Sequence, residues 1–338
     1  MFILVTGGTG YIGSHVVHLL AQISEFKVVV VDNNRNYNRN ILPPQVPFFN
    51  INTGDREALN KVFKKFPIEA VMHFAAFIEA GESVHYPLKY FKNNFSATLN
   101  LLETALNHNC RKIIFSSTAA VYGEPKYTPL DEDHPPFPIN PYGQSKLMVE
   151  EVLKNLEKSD QMKFISFRYF NAGGNVTDAS LGEYHDPETH LIPILLQTAL
   201  RTRDCFYLFG NDYPTEDGTC IRDYIHVLDL AQAHIDGLKY LISQQKSQIF
   251  NLGSQRGFSN LEVYKKACSI TKQKIKLRIK DRRPGDPSVL IASSKKAREI
   301  LSWHPRYSDL ETIISSAWKW QLKVRKICKD LDFLSDNR

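Results

Sequence analysis

The sequence contains few of the residues that mark secreted, membrane or disulfide-bonded proteins. It has five cysteines, four methionines and three tryptophans in 338 residues. No apolar run approaches the roughly 20 residues that span a bilayer, so we expect no membrane-spanning helix. The chain opens on the apolar segment Met1 to Thr6, with no basic region and no longer apolar core before it. We therefore expect no secretion signal and a cytoplasmic protein.

The cysteines do not form a ligand pattern. They are odd in number, widely spaced and without a CxxC pair or a neighbouring histidine cluster: Cys110, Cys205, Cys220, Cys268 and Cys328. This distribution predicts reduced thiols and no structural zinc, and we expect no metal site.

The charge is moderately basic, with 42 Lys and Arg against 36 Asp and Glu and a formal net charge of +6. Basic residues are frequent between Lys265 and Arg298, where we expect a solvated face. The segment Arg282-Arg283-Pro284-Gly285-Asp286 differs, because its turn-forming residues would present both guanidinium groups from a fixed loop. No nucleic-acid-binding motif accompanies the charge, so neither nucleic acid nor a membrane is an expected partner.

What the sequence does contain is an alternation of short apolar strands with longer helical patterns. This is typical of βαβ units on a parallel sheet, and the strands lack polar alternation, as strands covered on both faces do. The predicted strands are Phe2 to Thr6, Lys27 to Asp32, Ala70 to Phe74, Lys112 to Ser116 and Lys163 to Arg168. The predicted helices are Gly13 to Ile23, Arg56 to Phe66, Asn93 to Asn107 and Tyr142 to Glu157. We expect an α/β fold with a doubly wound parallel Rossmann sheet and a smaller, sequence-interrupted α/β substrate domain.

The pattern changes after Asn171, where longer connections rich in Gly, Pro and Asp begin. Ala172 to Glu188 and Asn211 to Thr219 are predicted loops, and their length suggests function. A helix from Val227 to Leu241 and a strand from Gln248 to Leu252 are predicted additions to the first sheet. The expected domains are 1–171 with 223–255, then 172–222 with 256–325, followed by a weakly patterned tail, 326–338, that we expect to fray.

A glycine-rich turn follows the first strand. Gly7-Gly8-Thr9-Gly10-Tyr11-Ile12-Gly13 has the GxxGxxG spacing that lets a backbone approach a pyrophosphate at a helix N-terminus. Asp32 ends the second strand 19 residues later. A carboxylate there accepts hydrogen bonds from an adenosine ribose and repels a 2′-phosphate, which favours NAD over NADP. Asp55 is a candidate for the adenine edge, and Phe74, Ala75 and Ala76 end a strand where small residues would let the cofactor lie against the backbone.

A second group of polar residues predicts the chemistry. Ser116-Ser117-Thr118 ends a strand, and Tyr142 and Lys146 share a helix face, since they are four residues apart behind the N-cap candidate Asn140. A tyrosine is a weak base at neutral pH because its pKa is about 10. Lys146, oxidised nicotinamide and the helix N-terminus would each lower that pKa. Tyr142 could then take a hydroxyl proton while hydride leaves the same carbon, with Thr118 holding the reacting oxygen.

These motifs resemble the extended short-chain dehydrogenase/reductases and, among them, the UDP-glucose 4-epimerase family. The resemblance covers about residues 1 to 325. The segments that carry it are Gly7 to His15, Gly81-Glu82-Ser83-Val84, Arg168-Tyr169-Phe170-Asn171, and Asn211 to Thr219 continuing through Arg222 to Val227. The resemblance implies that NAD stays bound while hydride leaves C4 of a UDP-hexose, the 4-keto sugar rotates, and hydride returns to the other face. It also implies a homodimer, formed through the Asn93 to Asn107 and Tyr142 to Glu157 helices.

The resemblance implies roles residue by residue. Tyr142 would be the base, Lys146 its partner, and Thr118 the hydroxyl near O4. The NAD site would be lined by Gly7, Gly10, Tyr11, Ile12, Gly13, Asp32, Asn33, Asp55, Phe74, Ala75, Ala76, Asn93, Ser116, Tyr142, Lys146 and Tyr169. The UDP-sugar would be held by Thr118, Tyr142, Asn171, Leu191, Arg222, Tyr224, Arg283, Asp286 and Leu290.

Two positions depart from the family pattern or leave specificity open. Ile78 stands where some members have a lysine, so no charged cofactor contact is assigned there. Leu290 stands where members carry either a bulky aromatic residue or a small one that admits N-acetylated sugars, and leucine is intermediate. Epimerisation of an N-acetylhexosamine, uronate or pentose nucleotide therefore stays open.

Three other functions are weaker alternatives. A 4,6-dehydratase would need an Asp-Glu pair where this chain has Ala119-Ala120. An NAD-dependent nucleotide-sugar dehydrogenase or reductase would release its cofactor. A non-catalytic NAD-sensing protein would not need Thr118, Tyr142 and Lys146 together.

Overall fold

The computed structural model describes residues 1–33, 41–185, 187–283 and 285–335, with side chains up to residue 326. Pro284 of the predicted turn and residues 336–338 of the predicted tail lie outside the described residues. The strands are β1 Phe2–Thr6, β2 Lys27–Asp32, β3 Phe48–Asn50, β4 Ile68–His73, β5 Lys112–Ser116, β6 Lys163–Tyr169, β7 Asn171–Gly173, β8 Phe206–Phe209, β9 Ile221–His226, β10 Gln248–Leu252, β11 Gly257–Ser259, β12 Leu277–Lys280 and β13 Val289–Leu290. The helices are α1 Tyr11–Leu20, α2 Arg56–Lys65, α3 Ala80–His85, α4 Pro87–Tyr90, α5 Ala97–Asn107, α6 Pro141–Lys158, α7 Leu191–Ala199, α8 Val227–Gln244, α9 Asn260–Thr271, α10 Lys295–Leu301 and α11 Leu310–Ser335.

Seven parallel strands form the main sheet in the order β10-β6-β5-β4-β1-β2-β3. Helices cover both of its faces. Apolar residues of α1 and α8 pack on one face, and those of α2, α5 and α6 pack on the other. The strand order reverses between β1 and β4, and a ligand crevice forms at the carboxyl ends of strands at such a point. The predicted α/β fold with a doubly wound sheet is therefore confirmed.

A second region is built on smaller sheets. The strand β9 lies between β11 and β13 and also pairs with β7, while β8 pairs with β12. Apolar residues of α7, α9 and α11 form a separate core against them. Of the segment 223–255, β10 joins the main sheet beside β6, but residues 223–226 belong to β9 in the second sheet. The assignment of those four residues to the first sheet was wrong. β9 pairs with β7, which precedes it in the sequence, and with β11 and β13, which follow it, and none of these strands belongs to the main sheet.

Other boundaries differ from the predictions for local reasons. The strand β3 was missed because it is only three residues long. The predicted helix from Asn93 begins earlier, as a π-helical segment over Phe91–Ser96 that runs into α5. The predicted loop from Ala172 starts inside β7, and α11 continues to Ser335, beyond the point where we expected the tail to fray. None of the helices in the described residues is long and apolar enough to cross a membrane.

Candidate active site

The glycine-rich turn between β1 and α1 has the tight geometry that its sequence predicts. Gly7 has a φ of 71°, and a Cβ there would lie 2.5 Å from the amide nitrogen of Ala75. A Cβ on Gly13 would lie 2.1 Å from the carbonyl oxygen of Gly7. Side chains at these positions would therefore force the turn away from β4 and from α1. Gly10 is the N-cap of α1 and provides no side-chain cap. The first amides of the helix, at the positive end of its dipole, therefore stay available to an anion.

Asp32 ends β2 beside this turn. Its Oδ2 accepts hydrogen bonds from the amide nitrogen of Thr9 at 3.0 Å and from the Thr9 hydroxyl at 2.6 Å. The side chain is largely buried. The carboxylate thus fixes the turn and lies at the strand end where a ribose would be bound, with the exposed Asn33 next to it.

Five other predicted cofactor residues make contacts within the protein or lie close to the glycine turn. Asp55 caps α2, accepting a hydrogen bond from the amide of Ala58 at 3.0 Å. Phe74 packs on the ring of His234 at 4.8 Å between centroids. Asn93 donates to the side chain of Asn94 at 3.0 Å. Ala75 approaches the backbone of Gly7, and Ala76 follows it in the connection after β4.

The start of α6 is held close to the end of β5. Asn140 caps the helix by accepting from the amide of Gly143 at 2.9 Å. A Cβ on Gly143 would lie 2.5 Å from the carbonyl oxygen of Ala120, so only glycine permits this approach. It brings Tyr142 within hydrogen-bonding reach of the Thr118 side chain. The two predicted catalytic hydroxyls therefore meet.

Lys146 lies one turn further along α6. Its Nζ donates to the carbonyl oxygen of Ser116 at 2.8 Å and lies 5.0 Å above the Phe115 ring. Burial lowers the pKa of this lysine to about 7, although the negative charge of Glu150 acts to raise it. The ammonium is thus anchored at the end of β5.

The protein groups by themselves raise the pKa of Tyr142, whereas the expected lowering includes the charge of oxidised nicotinamide. Burial raises it to about 12, more than the hydrogen bond with Thr118 lowers it. Lys146 is directed at Ser116 and does not overcome this effect. Because desolvation penalises the phenolate, the chain alone keeps Tyr142 protonated at neutral pH. Ser116 also forms a hydrogen bond with the Tyr169 hydroxyl. Burial raises the pKa of Tyr169, and the nearby Tyr142 raises it as well.

The second sheet assembles the predicted substrate residues by its register. Asn171 of β7 pairs with Tyr224 of β9, and Leu290 of β13 pairs with Arg222 of β9. Four residues from three distant segments therefore meet on one sheet.

Arginine and carboxylate groups meet at the edge of this sheet. Arg222 donates to Asp286 and to the carbonyl oxygen of Ile221, the latter at 2.8 Å. The guanidinium of Arg283 lies 4.0 Å from the Phe209 ring centroid. Asp286 closes a turn back to the Arg283 carbonyl at 3.3 Å. Leu191 begins α7, a separate element of this region.

Known proteins resemble the chain over almost its full length. A family model described as GDP-mannose 4,6 dehydratase matches residues 4–316. A protein of Lacticaseibacillus casei named UDP-glucose 4-epimerase is 49% identical over 320 residues, which cover 95% of this chain and 96% of that protein. The chain belongs to the UDP-glucose 4-epimerase family. The resemblance seen in the sequence motifs is confirmed.

Solved structures of UDP-glucose 4-epimerases have the same fold. One is 44% identical, with a TM-score of 0.92 and coverage of 96% of this chain and 98% of that one. The Bifidobacterium longum enzyme, in complex with NAD+ and UDP, is 35% identical, with a TM-score of 0.89 and coverage of 96% and 98%.

Three residues that support this site had no role predicted from the sequence. Ser83 accepts from the amide of Tyr142 at 3.2 Å, which explains the place of the Gly81 to Val84 motif in the site. Buried Asn94 accepts from the Phe77 amide at 2.8 Å and donates to its carbonyl at 2.9 Å. Of these two adjacent asparagines, only Asn93 was predicted from the sequence.

The third missed residue is Glu150, which is fully buried below Lys146 on α6. It accepts from Ser117 at 2.6 Å, from Ser166 at 3.0 Å and from the Arg168 guanidinium at 2.6 Å. The signal was its spacing, since Tyr142, Lys146 and Glu150 recur at intervals of four on one face. This network fastens α6 to β5 and β6.

Proposed function

We propose that this protein interconverts UDP-galactose and UDP-glucose as an NAD-dependent UDP-glucose 4-epimerase. The observation that carries the conclusion is the hydrogen bond between Tyr142 and Thr118 beyond the end of β5, with Lys146 anchored on Ser116 of the same strand. The identity of up to 49% with proteins named UDP-glucose 4-epimerase supports the same reaction. The alternative sugar nucleotides, the dehydrogenase and the NAD-sensing protein are not favoured.

The residues fit NAD as the resident cofactor. Gly7 and Gly13 leave no room for side chains in the turn, so backbone amides and the α1 N-terminus can contact a pyrophosphate. Asp32 offers a carboxylate at the ribose position and would repel a 2′-phosphate. Bound NAD supplies the acceptor, and afterwards the donor, of the C4 hydride.

Tyr142, Thr118 and Lys146 would handle the proton of the sugar. Thr118 would hold O4 by a hydrogen bond, and Tyr142 would take the O4 proton and later return it. Burial opposes formation of the phenolate, so the base needs the positive charge that oxidised nicotinamide brings when bound. Lys146, anchored on Ser116, would hold the nicotinamide ribose and place its charge beside the tyrosine.

The second sheet would hold the nucleotide while the hexose turns. Arg222 and Arg283 suit the pyrophosphate, because guanidinium groups bind phosphate oxygens in a bidentate way. Asp286 suits the uridine ribose, and Asn171, Leu191 and Tyr224 would complete the pocket. Retention of the nucleotide is what the mechanism requires, because only the 4-keto sugar must rotate.

We also propose how the chain divides into domains, how it assembles and where it is located. Residues 1–171 with most of 223–255 would bind NAD, and 172–222 with 256–325 would bind the nucleotide sugar. A homodimer through the 93–107 and 142–157 helices is supported by the half-buried Leu99 and Met148 on them. Cytoplasmic placement agrees with the free thiols of Cys110 and Cys220.

Proton NMR of purified protein with UDP-galactose and no added NAD tests the function. We expect the anomeric signals to move to a mixture dominated by UDP-glucose, without net NADH. Absence of conversion even after NAD is supplied would contradict the proposal. Light scattering on the same sample tests the dimer, which a monomeric mass would contradict.

A further inference from the structure

A cluster of two glutamates and two histidines lies outside the proposed catalytic machinery. Glu183, His185, Glu188 and His190 each offer one ligand atom, and these four atoms lie within 4.8 Å of one another. They come from the connection before α7, in the spacing Glu-x-His-x2-Glu-x-His. The cysteine pattern gave no sign of this site, because its donors are imidazoles and carboxylates.

The distances within the cluster match a metal coordination sphere. Nδ1 of His185 lies 3.4 Å from Glu183 and 3.6 Å from Glu188, and Nδ1 of His190 lies 3.3 Å and 2.9 Å from the same carboxylates. Ligands about 2.0–2.1 Å from a tetrahedral zinc ion are separated from one another by roughly 3.3 Å. These histidine–carboxylate distances are close to that spacing, and a single ion would bring together the four atoms, which lie up to 4.8 Å apart.

His185 provides an independent indication of a ligand. Its Nδ1 is inaccessible to solvent and makes no hydrogen bond to any described residue. This nitrogen nevertheless faces both carboxylates across a gap longer than a hydrogen bond. A lone pair directed at that gap would coordinate an ion between the three groups.

The charge balance also favours a divalent cation. The Glu183 and Glu188 side chains are only 7% and 3% exposed. Among the described residues, the ion pairs of these two carboxylates are with His185 and His190 alone. Without an ion, imidazolium groups can pair with the two carboxylates; when neutral imidazoles act as ligands instead, two buried negative charges remain, and buried charge is costly unless it is paired. One divalent cation neutralises them.

The groups around the cluster hold its members in place. The amides of Thr189 and His190 donate to Glu188 Oε1, both at 2.8 Å. The indole of Trp320 donates to the carbonyl oxygen of Glu183 at 2.8 Å. Such outer contacts orient metal ligands.

We propose that Glu183, His185, Glu188 and His190 form a structural site for one divalent transition-metal cation of the zinc class. The site would fasten the 172–190 connection to the dinucleotide-binding region, because the Tyr11 ring packs edge-on against His185. It would also fix the start of α7, because His190 is the N-cap of that helix. The role proposed for the cation is structural.

Cobalt binding to the full-length protein tests the site. The purified protein is stripped with a chelator and titrated with Co²⁺, whose visible absorption reports coordination, and Zn²⁺ is then added in competition. We expect one Co²⁺ per chain, displacement by one Zn²⁺, and a higher Tm with either ion. Elemental analysis after dialysis gives the stoichiometry independently.

Matched variants separate this cluster from adventitious binding. His185→Gln and His190→Gln should each weaken Co²⁺ binding by more than about 100-fold, above the 10–100-fold effect of losing an outer contact. His304→Gln, at an exposed position outside the cluster, should leave it unchanged. Failure of the wild-type chain to bind Co²⁺, or equal binding by the cluster variants, would overturn the proposal. Circular dichroism shows whether each variant is folded. If a variant is not folded, the Co²⁺ titration of the wild-type chain alone decides whether the site exists.

Discussion

Lys146 donates a hydrogen bond from Nζ to the carbonyl oxygen of Ser116 at 2.8 Å, one helical turn beyond Tyr142. This contact fastens the helix that carries the proposed base to the strand that leads to Thr118. Gly143 and Ser83 complete the arrangement, one by allowing close approach to Ala120 and the other by accepting from the Tyr142 amide. The catalytic hydroxyls are therefore positioned by the backbone around them.

Replacement of Tyr142 by phenylalanine tests the proposed base. Because the ring remains and only the hydroxyl is lost, turnover should fall by about 10²–10⁴-fold while NAD stays bound. Initial rates with UDP-galactose and an assay of NAD released on denaturation measure the two effects. Tyr127→Phe, at an exposed tyrosine, is the control. Near-normal turnover in Tyr142→Phe would remove this residue from its role.

Arg222→Lys tests the proposed pyrophosphate contact. Lysine keeps the charge but loses the bidentate geometry, so we expect KM for the UDP-sugar to rise about 10-fold or more, with a smaller change in kcat. Arg282→Lys is the control, because Arg282 pairs with Asp212 on the surface. An equal effect of both substitutions would argue against a specific role of Arg222.

Substitution of Leu290 tests how the pocket selects its sugar. Leu290 pairs with Arg222 across the second sheet. Leu290→Ser should raise kcat/KM for N-acetylated relative to plain UDP-hexoses by about 10-fold or more, and Leu290→Tyr should lower this ratio. Competition assays with both sugar nucleotides give the ratio directly. An unchanged ratio in both variants would place this side chain outside the sugar pocket.

Glu150→Gln tests the buried network below Lys146. The substitution leaves the buried Arg168 guanidinium without its anionic partner, which should cost about 3–5 kcal/mol of unfolding free energy. Urea unfolding followed by circular dichroism measures this. Glu151→Gln, at the exposed pair with Lys154, should cost less than about 1 kcal/mol. Similar losses in the two variants would contradict the assignment.

Acid should destabilise the fold through its buried histidines. Burial lowers the pKa of His73 to about 3 and the pKa values of His15, His226 and His234 to about 4. Folded pKa values below the unfolded 6.5 mean that the unfolded chain binds more protons, so stability is full above pH 6.5 and falls towards pH 4. Each histidine contributes up to about 1.4 kcal/mol per pH unit.

Urea unfolding at several pH values between 7 and 4.5 checks this slope. His234→Leu should reduce the slope by about one proton, since Nδ1 of His234 bonds to the Leu230 carbonyl and its Nε2 has no partner among the described residues. His304→Gln, at an exposed histidine, should leave the slope intact. A stability independent of pH over this range would refute the assignment.

The sequence sufficed for features that depend on local spacing. Val-rich and Ile-rich runs predicted β1, β2, β5 and β10 with their observed ends, and the glycine spacing predicted the turn at Gly7 to Gly13. Leu290 and Arg222 were both named as candidates, but only the pairing of β13 with β9 shows that they are neighbours. Such long-range register is set by tertiary packing, which no local pattern encodes.

The direction of the Tyr142 pKa could not be obtained from spacing either. Lys146 and the helix N-terminus are visible in the sequence, whereas burial of the hydroxyl depends on how the surrounding elements pack. A related reason explains why the cluster of two glutamates and two histidines was overlooked. Glu183, His185 and Glu188 lie in a segment predicted only as a loop, and His190 lies just after it. Their convergence follows from the path of that connection against Tyr11.

In the proposed reaction, hydride leaves C4 and returns to the same carbon within one chain. UDP-galactose deuterated at C4 is incubated with the protein in ordinary water, and the product is analysed by NMR and mass spectrometry. We expect UDP-glucose that keeps its deuterium at C4, because the hydride is stored on bound NAD and never exchanges with solvent. Loss of deuterium to water, or its appearance in free NADH, would contradict the account.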